Sequence, residues 1–402
     1  MLIYIFNNPF PSTGGFAKRC LKEIEILSET NDIIVICRQD DKTKYITSID
    51  TDFKKIPIYR FDTFFGITDK VQNYKNIAGL YELIRNIDLL RGLFTSLFKV
   101  LWKYRNNKIK LYAVVSPLTV PFITYFVGIL FNAKPEIVEF HDLEPELAMH
   151  IKKLNKNSFV TKVEFLIEKI VCSMFNKIIV TSSSQAERII KRTKVNAEKI
   201  LIIPNSIQVE SKKVNNEKVS DILRIGYISS FAYEYNINGL MELIKAVSNN
   251  RNLFINVEIL IVGDGDLLIK VVKLVKDLDL EMVFKILGNI DNVNEIMSSV
   301  NVGIIPWKQD IMTETILPTK LFEYMYAGKV IIAPNFGEFK NILSHNTHAL
   351  LYNSNRELED FINELKEDKK LAINLGKNAY QLYSSKYCNS LYISTLQNFI
   401  NK

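Results

Sequence analysis

Residues 317–334, LPTKLFEYMYAGKVIIAP, read as one helix-to-strand step. Pro318 and Thr319 open the helix, since proline is pre-set for a first turn and lacks an N–H that such a position leaves unused. Gly328 closes it, and KVIIAP follows as a short apolar run of the kind a buried parallel strand shows. Upstream the same alternation runs through LRIGYIS, a helix over GLMELIKAV, NVEILIVGDG, a helix to about 279, VFKILG, a helix from about 293 and VGIIPW. An earlier series consists of LIYIF, a helix from about Phe16, DIIVIC, LYAVVS, a helix, EIVEF, a long helix and KIIVTSS. Between the two series KILIIPNSIQ ends a strand at Pro204 and Asn205, and the polar stretch ESKKVNNEKVSD follows.

This is the rhythm of an α/β protein with two Rossmann-like parallel-sheet domains facing across a cleft. The expected division is 1–205, a linker over 206–221, and 222–383, with a C-terminal helix at 384–402 returning to the first domain. At 402 residues the chain exceeds the roughly 250–300 at which a single core stops growing, which also predicts two domains. Cys20, Cys37, Cys172 and Cys388 lie far apart with no C-x-x-C pair, which points to a reducing compartment and away from a disulfide framework. MLIYIFNNPF goes straight into a strand-like run with no basic start or apolar leader core, so the expectation is a cytoplasmic protein.

Residues 118–133, LTVPFITYFVGILFNA, are uncharged but shorter than the ~20 needed to span a bilayer, and they read as a buried helix. Over 93–110, Leu93, Phe94, Leu97, Phe98, Leu101 and Trp102 form an apolar stripe beside Lys99, Lys103, Arg105, Lys108 and Lys110. That pairing reads first as a solvated helix end and, as the alternative, as peripheral contact with an anionic membrane, at the inner face of the cell membrane. Nucleic acid is not an expected partner: 51 basic residues face 44 acidic ones, and no recognised binding motif occurs.

Three places could carry chemistry. Gly14 and Gly15 stand at a strand-to-helix turn, where bare backbone N–H groups approach an anion at the positive end of a helix. His141 and Asp142 follow the strand EIVEF, at the carboxyl end where such sheets present reactive groups. In the opening block, the free N–H groups of the helix start with Lys320 form a phosphate site, and Glu323, one turn on, can accept both hydroxyls of a ribose.

In order along the chain, P-x-x-G-G, EFHD, the IPN of 203–205, the GDG of 263–265, the LGNI of 287–290 and the LPTKLFEYMYAGK block resemble the retaining GT-B glycosyltransferases of family four. The resemblance covers nearly the whole chain. It implies a donor substrate, a nucleotide-diphosphate sugar, with no cofactor and no metal, and a sugar or lipid-linked acceptor in cell-surface polysaccharide or glycolipid assembly. It puts Gly14 and Gly15 near the donor phosphates, His141 near the reacting carbon as the catalytic group, Asn289 and Ile290 in the base pocket, and Pro318, Thr319, Lys320, Leu321 and Glu323 around phosphate and ribose.

Two departures stand out. The family usually places an arginine and, six residues later, a lysine after the first strand of the second domain; Ser230 and Asn236 stand there. Charged hydrogen bonds contribute about 1.5–3 kcal/mol each, so two uncompensated losses would weaken donor binding by roughly two to four powers of ten. The family's paired carboxylates are separated by seven residues, which from Glu323 reaches Thr315; Glu314, one place earlier, is the catalytic candidate. Three rival readings follow: a non-catalytic GT-B scaffold or activator subunit, a metal-dependent transferase using the D-x-D of Asp264 and Asp266, and a nucleotide-sugar epimerase with His141 as its acid or base.

Overall fold

The computed structural model describes residues 1–11, 15–40, 46–51, 54–63, 78–152, 155–205, 222–290 and 293–401. Gly14 and the expected linker at 206–221 lie outside the described residues. The chain divides into two compact units, 1–203 with 395–402, and 204–394.

The first unit holds the strands β1 (Leu2–Pro9), β2 (Ile33–Arg38), β3 (Ser48–Asp50), β4 (Lys55–Phe61), β5 (Lys110–Val114), β6 (Lys134–Phe140), β7 (Lys177–Val180) and β8 (Ile200–Ile202). They form one sheet in the order β3-β4-β2-β1-β5-β6-β7-β8. Every pairing is parallel except β3 with β4. Its helices are α1 (Gly15–Ser28), α2 (Ala78–Lys103), α3 (Thr119–Leu130), α4 (Glu144–Lys152), α5 (Phe159–Met174) and α6 (Ser183–Thr193). The sequence reading missed β3 and β4. KIPIYRF interrupts its apolar residues with Lys55, Pro57 and Arg60, and Pro57 stands one residue before β4 begins to pair with β2 at Ile58, so no ladder bond is lost there.

Two expectations need correction. The apolar stripe on α2 is not one surface: Leu93, Leu97 and Leu101, spaced by four, are fully buried, while Phe94, Phe98 and Trp102, one position round the helix, remain 42%, 37% and 56% exposed. Nor is α3 wholly buried, since Phe126, Ile129 and Leu130 stay exposed on its outer face. A helix that is apolar all round still has only one face to give the sheet.

The second unit holds β9 (Leu223–Ile228), β10 (Val257–Val262), β11 (Phe284–Gly288), β12 (Val302–Ile304), β13 (Val330–Pro334) and β14 (Leu350–Tyr352), with α7 (Tyr235–Asn249), α8 (Leu268–Asp277), α9 (Val293–Ser299), α10 (Thr319–Tyr326), α11 (Gly337–Ile342), α12 (Asn355–Glu367) and α13 (Lys369–Lys386). The sheet is parallel throughout, in the order β11-β10-β9-β12-β13-β14. Strand order reverses between β9 and β12, and ligands of such sheets bind outside the strand carboxyl ends at that reversal. A last helix, α14 (Asn389–Asn401), follows α13, and its residues from Thr395 onward belong to the first unit. There Lys177 Nζ donates to the carbonyl of Ile400 (3.1 Å) and Gln397 Nε2 to Glu29 Oε2 (2.6 Å).

Candidate functional site

In the second unit the carboxyl ends of β9, β10 and β11 are tied into one rim by backbone hydrogen bonds. The N–H of Ser229 donates to the Val262 carbonyl, that of Phe231 to Asp264, and that of Gly263 to Gly288. Glycine is required at Gly263: its φ is +132°, and a Cβ would sit 1.8 Å from the Ser229 carbonyl oxygen. Asp264 Oδ1 accepts the N–H of Gly265 (2.7 Å), so this member of the D-x-D pair stabilises its own turn. Beyond Gly288, Asn289 is exposed and Ile290 packs against the core that contains Leu321 and Phe322.

Ser230 and Asn236, matched to the family's basic pair, do meet. Asn236 is buried, its Nδ2 donates to the Ser230 carbonyl (2.7 Å), and its own carbonyl accepts from the Tyr227 hydroxyl (2.6 Å). The amide therefore shapes the loop from behind. One of its two Nδ2 hydrogens is engaged in this way.

Tyr324 seats α10 over the sheet. Its hydroxyl donates to the Gly226 carbonyl (2.9 Å) and accepts the N–H of Ile228 (3.3 Å), and a Cβ on Gly303 would lie 2.3 Å from its ring. Asn205 Nδ2 donates to the Leu317 carbonyl (3.1 Å), fixing the approach to the helix. Pro318 is the cap residue and supplies no side-chain hydrogen bond to the first turn. Leu321 is fully buried and its N–H donates to the Pro318 carbonyl, so it holds the turn together. Lys320 and Glu323 are partly exposed and paired, Nζ to Oε2 at 2.6 Å. The cation expected for phosphate and the carboxylate expected for ribose thus pair with each other. Glu314 Oε1 accepts from Gln309 Nε2 (2.9 Å), whereas Thr315 is buried with its hydroxyl on the Met312 carbonyl (3.1 Å).

In the first unit His141 tops a buried polar cluster that sequence reasoning missed. His141 directly follows β6, and Glu139, two residues back, lies beside it with Oε1 3.1 Å from Nε2. Arg19 Nε donates to the same oxygen (2.8 Å), and Tyr112 donates to Glu139 Oε2 (2.8 Å). Arg19 also pairs with Glu23 one turn along α1 (3.0 Å), and Tyr4 donates to Glu23 Oε2 (2.6 Å). Burial alone would push the Glu139 carboxyl up; Arg19 and then His141 overcome it and hold the group well below the usual carboxylate range. Burial raises Asp142, with His141 opposing. Phe16, in the first turn of α1, lies against the His141 ring at a centroid distance of 4.7 Å. Gly15 is exposed, and a Cβ there would meet nothing within 4 Å. The signal that could have found the cluster is the pair of polar residues at 139 and 141 on one strand, with Arg19 and Glu23 at helical spacing.

Residues 208–382 match the family glycosyl transferases group 1. No curated protein matches the sequence. Among solved structures, HepE of Anabaena in complex with UDP is similar over 100% of this chain and 98% of its own, with 16% identity and a TM-score of 0.69. Sucrose-phosphate synthase from Thermosynechococcus elongatus gives the same coverage and identity with a TM-score of 0.72. A glycosyltransferase from Rickettsia africae, also 16% identical over 100% of this chain and 98% of its own, gives 0.68. At such identity the likeness is one of fold.

Proposed function

We propose a reaction for this chain from the premise that it has the GT-B glycosyltransferase fold and that its second unit belongs to the glycosyl transferases group 1 family. The chain moves a sugar from a nucleotide-diphosphate sugar to an acceptor hydroxyl, with retained anomeric configuration and without a metal. The observation that carries this reading is the Lys320–Glu323 pair on the first turn of α10, inside the matched segment and beside a helix start with no side-chain cap.

A donor would separate that pair. The diphosphate takes Lys320 and the free N–H groups of the helix start, with Pro318 and Thr319 at its edge, and the ribose hydroxyls take Glu323. Asn289 and Ile290 line the base, and the Ser230 loop approaches the phosphates through backbone and hydroxyl. Gly15 leaves room for a ligand at the start of α1, His141 acts at the sugar, and Glu314 is the second catalytic candidate. The complexes of HepE with UDP make uridine the first base to test.

Calorimetric titration with UDP and GDP sugars tests the assignment, and Lys320→Ala should weaken nucleotide-diphosphate binding by about tenfold or more, the scale of one charged hydrogen bond. Unchanged affinity in that variant would remove Lys320 from the site. One observation favours a second reading, a non-catalytic scaffold or activator subunit: the basic pair is replaced by neutral residues, one of them buried and turned inward. Absence of heat with every donor would favour it.

The acceptor we propose is lipid-linked, at the cytoplasmic face of the cell membrane. Among the described residues no helix is long and apolar enough to cross a membrane. Support for peripheral contact comes from Phe94, Phe98 and Trp102 on α2, with the Arg105 guanidinium 5.0 Å from the Trp102 ring.

A further inference from the structure

We propose that Gly337 is a positioning residue for Glu314: with no side chain at 337, the loop after β13 lies directly against the Glu314 backbone and sets where its carboxylate stands. The inference deepens the role given to Glu314 above, and only its catalytic consequence rests on that role. A carboxylate one place short of the family spacing needs its own means of placement, because Thr315, at the expected position, is buried with its hydroxyl on the Met312 carbonyl. The contact at Gly337 supplies it. A Cβ there would stand 2.8 Å from the Glu314 carbonyl oxygen, 2.9 Å from its Cα and 3.1 Å from its carbonyl carbon, and φ at Gly337 is +54°. All three neighbours are backbone atoms, which cannot swing aside as the end of a long side chain can, so a close-packed contact of this kind transmits any displacement.

Both sides of the contact are held, in different ways. The Gly337 side is tied to the sheet: the N–H of Asn335 donates to the Tyr352 carbonyl (2.8 Å), Asn335 Nδ2 donates to Asn353 Oδ1 (3.1 Å), and Phe339 is fully buried with its ring 5.7 Å from that of Trp307. The Glu314 side is a turn bonded within itself. Asp310 Oδ1 accepts the N–H groups of Met312 (2.7 Å) and Thr313 (2.8 Å), and the N–H of Glu314 donates to the Asp310 carbonyl (3.2 Å). Thr313 Oγ1 accepts the N–H of Asp310 (2.9 Å) and donates to the Lys308 carbonyl (2.8 Å). Such a turn moves as one piece. A side chain at 337 therefore displaces the turn and with it Glu314, whose partly exposed carboxylate keeps its bond from Gln309 within the same turn.

The test is made on the full chain with Gly337→Asn, since asparagine accepts a left-handed φ better than other side chains and so adds the Cβ with the least backbone strain. Gly337→Ala carries the same Cβ and serves in its place should the asparagine variant not fold. In crystals, superposed over β9 to β14, the variant should carry the Glu314 Cα about 0.6 Å from its wild-type place, the shortfall between 2.9 Å and an ordinary carbon contact. A Glu314 that stays in place while residues 335–338 withdraw overturns the proposal. The kinetic arm is separate. Here kcat should fall about 10- to 100-fold, the scale of a sub-ångström misplacement of a reacting group. Calorimetry with UDP and GDP should give the wild-type affinity, because the nucleotide contacts proposed above lie on α10 and beyond β11. In a Glu314→Gln background the same substitution should cost nothing further; a second full loss there means that Gly337 acts through another group, and overturns the role. Wild-type turnover in Gly337→Asn while Glu314→Gln is impaired overturns it too. A shifted Glu314 with unaltered turnover in both single variants would keep the placement and overturn the catalytic reading of Glu314. With no turnover from any UDP or GDP sugar, the crystal comparison alone decides the placement.

Discussion

Arg19 serves two buried carboxylates at once, so its loss would leave both without their cation. Its guanidinium contacts Glu23 and Glu139, and its Nη1 donates to the Ile203 carbonyl (3.1 Å). Replacement by methionine keeps most of the volume and strands two anions among apolar neighbours, a change that costs about 3–5 kcal/mol. For a unit of this size that corresponds to roughly 6–20 °C in melting temperature. Arg19→Met should therefore melt far below wild type in calorimetry at neutral pH; a loss under about 1 kcal/mol would mean the carboxylates are held by the tyrosines alone. Because the folded Glu139 carboxyl lies below its unfolded value, its stabilisation is complete above the ordinary carboxylate range, about pH 4.3, and is lost as pH falls from there toward the folded value. His141 was legible in the sequence because it ends a strand, but its support was not: a glutamate inside EIVEF reads equally well as an outward-facing residue.

At the scale of elements, α4, α5 and α6 are fastened by one arginine between two acids. Arg192 Nη2 donates to Glu168 Oε1 (2.7 Å), its Nη1 contacts Glu146, and both glutamates are buried. Burial pushes the Glu168 carboxyl up to about 7, Arg192 opposing and Glu146 adding to the rise. The sign follows from the raised value. This group stabilises the fold fully below its unfolded value of about 4.3, and the stabilisation is lost as pH rises through 7. The loss amounts to about 4 kcal/mol. Urea midpoints of the wild type should fall between pH 5 and pH 8, and Glu168→Gln, which cannot ionise, should flatten that slope. Equal slopes in the two proteins would show that Glu168 ionises freely in the fold. Helical periodicity placed one long helix where α4 and α5 stand and did not mark α6, while the ion triad depends on residues 46 apart meeting in space, which no local pattern encodes.

At the scale of the whole molecule, a net charge of +7 accompanies an exposed aromatic row on α2 and apolar side chains on α3 that the first unit leaves uncovered. Flotation with vesicles rich in anionic lipid should bring the chain to the lipid fraction at low salt. Phe94→Ala with Trp102→Ala should abolish this with only a small fall in melting temperature, since both rings are about half exposed. Co-migration of the double variant at wild-type level would assign the contact to charge alone. The alternation of strands and helices, the glycine-closed helix before β13 and the order of family motifs were determined by the sequence itself, because local periodicity and turn chemistry act over a few neighbouring residues. Only the tertiary structure decided which leucines and which aromatics of α2 face inward, that Asn236 is buried against the Ser230 carbonyl, that Lys320 and Glu323 pair, and that Glu139 stands beneath His141. Each of those outcomes depends on which distant groups compete for the same oxygen, nitrogen or patch of buried surface, and that competition exists only after the chain has closed.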